Sequence, residues 1–161
     1  MLYPLIVFFH SWLRWGVLFL GVLTFWQALM GWARGENVTP EQRHTQLAFV
    51  SALDTQVVLG LVLYFVLSPL TPKSLGELQR AMTSTVPRFF AVEHAAGMLA
   101  ALVIVHLASV LSRRPIHAAA RHRRWFFGLL IALVLVVGST PWPSTPYGRP
   151  WIRTFSLLKV H

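Results

Sequence analysis

"WFFGLLIALVLVVGSTPW", residues 125–142, carries no charged side chain and no polar one before Ser139. A helix of a soluble bundle shows polar residues at helical period along its outer face. This segment offers none. A soluble four-helix bundle is therefore rejected, and the bilayer becomes the solvent to reason with. Pro141 marks the end of the run.

Three further apolar runs lie upstream, at about residues 3–32, 47–67 and 87–111. "SPLTP" ends the second, and Pro87 suits the first turn of the third. Each of the four meets the requirement of about 20 apolar residues for a membrane-spanning helix. The first lacks a basic flank before its apolar stretch and is too long for a signal peptide. Short connections predict helices that alternate up and down. The expected fold is an all-α integral membrane four-helix up-down bundle over residues 1–143, with helices at about 3–32, 47–67, 87–111 and 124–142. Residues 144–161 follow as an interfacial tail or partner-docking strip, mixing Trp151, Ile152, Phe155 and Leu157 with Arg149, Arg153 and Lys159. No internal repeat, low-complexity tract or second domain is visible.

Composition agrees. Of 161 residues, 55% are hydrophobic and 12% charged, and the mean hydropathy of +0.59 excludes a disordered chain. Cysteine is absent; that removes disulfides, thiolate metal sites and covalent c-type haem attachment. The net charge of +9 sits in short stretches between apolar runs, so it meets lipid headgroups and sets topology; nucleic acid is not an expected partner. Arg34, Glu36, Glu41, Arg43 and His44 fall in the first connection, and Lys73, Glu77 and Arg80 in the second. The third, "SRRPIHAAARHRR", packs five arginines into thirteen residues. The positive-inside rule puts it in the cytoplasm of a bacterium, with the chain in the inner membrane and both termini periplasmic.

Ionisable groups inside a membrane are expensive and each is a functional hypothesis. His10 and Arg14 lie on the first helix, Asp54 on the second, and Glu93, His94 and His106 on the third. Helix parity links two of them. The first and third helices run the same way, and His10 and His94 each sit about seven residues, roughly 10 Å, into theirs. Two level imidazoles on different helices make the geometry of a bis-imidazole haem b site, with His10 and His94 on the iron. Gly97 and Ala101 continue the His94 face and leave room for a flat macrocycle, as Gly21 does on the His10 face. Helical side chains lean toward the N-terminus, so Arg14 returns to the His10 level, where a haem propionate or Glu93 can pair with it. Arg88 is a second propionate candidate.

A plainer reading uses the same residues as interhelical ties: His10 to a backbone carbonyl, Arg14 to Glu93, His94 to Ser11, each worth about 1 kcal/mol. Asp54 and His106 form a polar lock or a proton relay, the lock being favoured. A second haem on His44 and His106 fits poorly, because His106 points about 120° away from His94. The fourth helix is a structural wall, and His117, His122 and His161 are surface residues.

As a set, "HSWLRW" (10–15), "DTQVVLGLVLYF" (54–65), "RFFAVEH" (88–94) and "TPWP" (140–143) resemble a family of small four-helix bacterial membrane proteins labelled cytochrome b or cytochrome-b-like. The resemblance covers the four helices in order and leaves out the tail after Pro143. It implies a b-type haem protein of a membrane electron-transfer system, with ligand roles for His10 and His94 and associated polar roles for Arg14, Arg88, Glu93 and Asp54.

The first functional expectation is thus a membrane protein with one haem b. It moves electrons between a quinol or another cytochrome and a larger respiratory or photosynthetic complex, as a carrier or subunit more than a stand-alone enzyme. A bound quinone is left open. The alternatives are a cofactor-free accessory subunit of a large membrane complex and, last, a small transporter or proton channel using Asp54 and His106.

Overall fold

The computed structural model describes residues 2–114 and 117–154, and all of its regular structure is helical. Helix α1 spans Leu2–Arg34. It ends in a Schellman motif: Gly35, at φ +64°, lets its own N–H reach the Trp32 carbonyl while the Glu36 N–H reaches that of Gly31. Helix α2 covers Pro40–Leu67. Its start lies seven residues before the apolar run because local chemistry begins it: Thr39 and Gln42 form a reciprocal capping box and Pro40 takes the first helical position. Glu41, Arg43 and His44 are therefore helical and not in a loop.

The second connection contains an element that apolar runs do not announce. Helix α3, Leu75–Met82, is a short amphipathic helix capped by the Ser74 hydroxyl on the Glu77 N–H, and it carries Glu77 and Arg80. Helix α4 covers Thr85–Ser112 with Pro87 in its first turn. Helix α5 spans Ala118–Gly138. This is a correction at both ends of the fourth segment. The helix begins among the arginines and stops before Ser139, so its uninterrupted apolar part, residues 125–138, is only about 21 Å long. Among the described residues three helices, α1, α2 and α4, are long and apolar enough to cross a membrane.

The four long helices alternate in direction and close a ring in which α1 packs on α2 and α5, and α4 packs on α5 and α2. The α2–α4 face is the thinnest of the four. Phe49, Leu53, Val105, Trp125 and Leu129 fill the centre with Val17 and Ala101, while Phe19, Trp26, Phe65, Val103 and Val134 face outward. Large apolar side chains on the outer face suit lipid, and small residues at single seams let helices approach closely. The α4–α5 seam is the tightest example: a Cβ on Gly128 would collide with that of Ala108.

Two π-helical turns interrupt the ladders, at Leu63–Leu67 closing α2 and at Phe89–Glu93 within α4. Each widens the helix by one residue and shifts the face that follows. The Tyr64 hydroxyl joins them by donating to the Ala91 carbonyl at 2.8 Å. The second turn delivers His94.

Candidate functional site

His10 from α1 and His94 from α4 face each other with ring centroids 6.3 Å apart and planes at 79°. The parity argument anticipates this approach. The His94 Nδ1 lies 2.7 Å from the Ser139 carbonyl oxygen. A carbonyl only accepts, so Nδ1 carries the proton and Nε2 keeps its lone pair. Metal-ligating histidines are commonly oriented by such a bond. On the other side the Gln56 amide nitrogen donates to His10 Nε2 at 3.4 Å. His10 Nδ1 and Gln56 Oε1 are then buried without a hydrogen-bond partner. Buried polar groups left this way cost about 1–3 kcal/mol each, which makes them candidates for a ligand. Gly60 lets α2 approach His10: a Cβ there would stand 3.3 Å from its Cε1.

The two rings border a void of about 140 Å³ and a second of about 50 Å³ toward α2 and α4. The larger is lined by Arg14, Arg149 and Arg153 and by no carboxylate. Arg149 and Arg153 come from the tail, whose expected place is the membrane interface. Residues 140–154 strap the end of the bundle. The indoles of Trp12 and Trp15 donate to the carbonyls of Arg153 and Trp151 at 3.1 and 3.0 Å. Tyr147 stacks on Phe89 at 3.5 Å, and Arg149 lies over the Phe90 ring. Phe155, Leu157, Lys159 and His161 lie outside the described residues.

The remaining expected site residues are distributed differently. Arg14 donates to the Trp151 carbonyl at 3.0 Å and rests over the Trp15 ring, not against Glu93. Glu93 is taken by Arg88 at 2.8 Å, so both turn away from the cavity. Gly97 accommodates Ser139, where a Cβ would collide, and so supports the residue that orients His94 without bordering the void itself. Asp54 and His106 meet at 2.8 Å between α2 and α4, partly exposed, in the arrangement of a lock. His122 is not at the surface; its ring is buried against Gly31. His117 is exposed.

Do these residues fit a haem? Among the described residues no group of three or more His, Asp or Glu side chains gathers for a metal. A porphyrin asks for less, since the macrocycle itself supplies four of the six ligands and the protein only two axial nitrogens. A metal–nitrogen bond of about 2 Å on either side, plus the two ring radii, comes to about 6 Å between imidazole centroids. The separation fits and His94 Nε2 offers its lone pair; His10 Nε2 would have to give up the Gln56 amide to offer its own. Volume does not come free: both voids are below the roughly 300–1,000 Å³ of ordinary ligand pockets. A macrocycle needs the strap to lift or α2 and α4 to part.

Against protein-family models, curated proteins and solved structures, the chain has no match.

Proposed function

We propose that this chain is a b-type haem protein of a bacterial inner membrane, carrying electrons within a larger respiratory or photosynthetic complex. The observation that carries the reading is the facing pair His10 and His94, with the His94 tautomer set by Ser139 so that Nε2 is free to ligate. Arg14, Arg149 and Arg153 would hold the propionates by charge-assisted hydrogen bonds. The haem, when bound, supplies one-electron exchange. The chain's own residues orient the imidazoles, neutralise the carboxylates and, through the strap, keep water from that end. Residues 125–138 complete a four-helix membrane bundle as a short fourth crossing, with the arginine-rich connection cytoplasmic and both termini periplasmic.

One observation favours a second reading, a cofactor-free accessory subunit. Gln56 and Ser139 already give each histidine a protein partner, and the voids are small. A reduced-minus-oxidised visible spectrum of the purified full chain separates the two. The haem reading expects a Soret shift and α-band that vanish in His10→Ala and in His94→Ala. Fully folded protein with neither feature after haem supplementation sinks it.

A further inference from the structure

At the other end of the bundle, a cavity of about 470 Å³ opens between the start of α2, the end of α4 and the start of α5. It shares no residue with the histidine cavity. Arg43 and His44 line it from α2, Arg113 from the end of α4, and Arg121, His122 and Trp125 from α5; no carboxylate does. His122 and Trp125 are each 1% exposed. Neither ring nitrogen of His122, nor the Trp125 indole nitrogen, nor Arg121 Nε has a hydrogen-bond partner. The imidazole sits in a niche that exists because residue 31 is glycine.

Three arginines thus line one cavity with no carboxylate in its wall, above two buried rings; Glu36 reaches the His122 imidazole from outside that wall. Such donors call for an acceptor, and such cations for an anion. An anion with several oxygens answers both at once. Phosphate matches guanidinium bidentately and has further oxygens for the indole and imidazole nitrogens behind. We propose that this cavity is a phosphate-binding site, with Arg43, Arg113 and Arg121 as the cationic rim and His122 and Trp125 as the inner donors. A lipid headgroup and free phosphate share that chemistry. Leu47 and Val50 in the same wall, and the position at the end of the apolar helices, suit a phosphodiester whose acyl chains run down the bundle.

The test uses the full chain purified in detergent. Native mass spectrometry reads retention of phosphatidylglycerol against phosphatidylcholine, and titration calorimetry reads binding of inorganic phosphate. The expected result is selective retention of phosphatidylglycerol, weakened about tenfold by Arg121→Gln and by Arg43→Gln. Arg34→Gln, exposed and outside the cavity, should leave it unchanged. Arg121→Lys keeps the charge and should keep most of the binding, which guards against a misfolded glutamine variant. Retention of phosphatidylglycerol without binding of inorganic phosphate identifies a headgroup site; inorganic phosphate that binds and displaces the lipid identifies a free-phosphate site. Equal retention of both lipids with no phosphate binding overturns the proposal. So does binding that is indifferent to Arg43 and Arg121.

Discussion

The Nδ1 of His94 lies 2.7 Å from the carbonyl oxygen of Ser139, one residue beyond the end of α5. The bond joins the proposed ligand on α4 to the point where the fourth long helix gives way to the strap. Gly97, one turn after His94, makes room for it.

Gly97→Ala should therefore act on the site without touching it. The added methyl collides with Ser139 and moves the carbonyl away from His94. Overpacking of this kind costs about 1–3 kcal/mol. In the haem-loaded protein we expect a lower thermal midpoint together with a shifted Soret band. A variant with wild-type stability and spectrum would show that the seam does not position His94.

The arginines lining the histidine cavity should set the reduction potential. A cation beside the haem favours the reduced, less positive iron, so its removal lowers the potential. Arg153→Gln and Arg14→Gln should each lower the midpoint by about 30–60 mV, the electrical equivalent of roughly 1 kcal/mol for one electron. Redox titration of the purified protein reads the shift, and an unchanged midpoint in both variants removes these arginines from the propionate role.

Gly31 and His122 form a lock of shape. Gly31→Ala should destabilise the fold by about 1–3 kcal/mol, because its methyl enters the space of the imidazole. Gly31→Ala with His122→Ala should recover a large part of that loss, since the second change removes the obstacle. Thermal unfolding in detergent for the two single variants and the pair gives the coupling; simple additivity would falsify the contact.

His122 also predicts a pH dependence. Burial pushes its imidazole below the ordinary histidine value, opposed in part by the backbone and carboxylate of Glu36. The unfolded chain therefore binds this proton more readily than the folded one. Stability is fully present above the unfolded value near 6.5 and falls as pH drops through the folded value. Unfolding midpoints from pH 8 to 5 (about the range where histidine titrates) should decline in the wild type and more weakly in His122→Asn. Identical slopes would remove His122 from the acid response.

Much of the site was legible before any coordinates. The approach of His10 and His94 follows from run lengths and alternation, because equal depth on parallel helices brings residues to one level. The pairing of Asp54 with His106 follows from the cost of leaving either ionisable group alone in lipid. Other features were not legible for local reasons. The start of α2 lies in polar sequence, where a capping box at Thr39 and Gln42 decides the boundary and hydrophobic runs are silent. Helix α3 is too short for a span and too polar to register as one. The fourth run looked long enough because no charge interrupts it as far as Trp142, past the point where the helix ends at Gly138.

By itself the sequence determined that the chain is helical, that long apolar runs build its main helices, and which imidazoles stand level. Those properties depend on residue type and spacing along one element, and the 3.6-residue period carries them. That three of the helices are long and apolar enough to cross a bilayer came from the structure. Only the tertiary structure decided that the tail straps the histidine cavity, bringing Arg149 and Arg153 beside Arg14, and that His122 turns inward against Gly31. The strap bonds join residues more than 130 positions apart, from Trp12, Arg14 and Trp15 to Trp151 and Arg153. No periodicity encodes such pairs. They exist because indole and guanidinium donors in the first half of α1 meet free carbonyls of an irregular segment, and that meeting requires the ring of helices to close first.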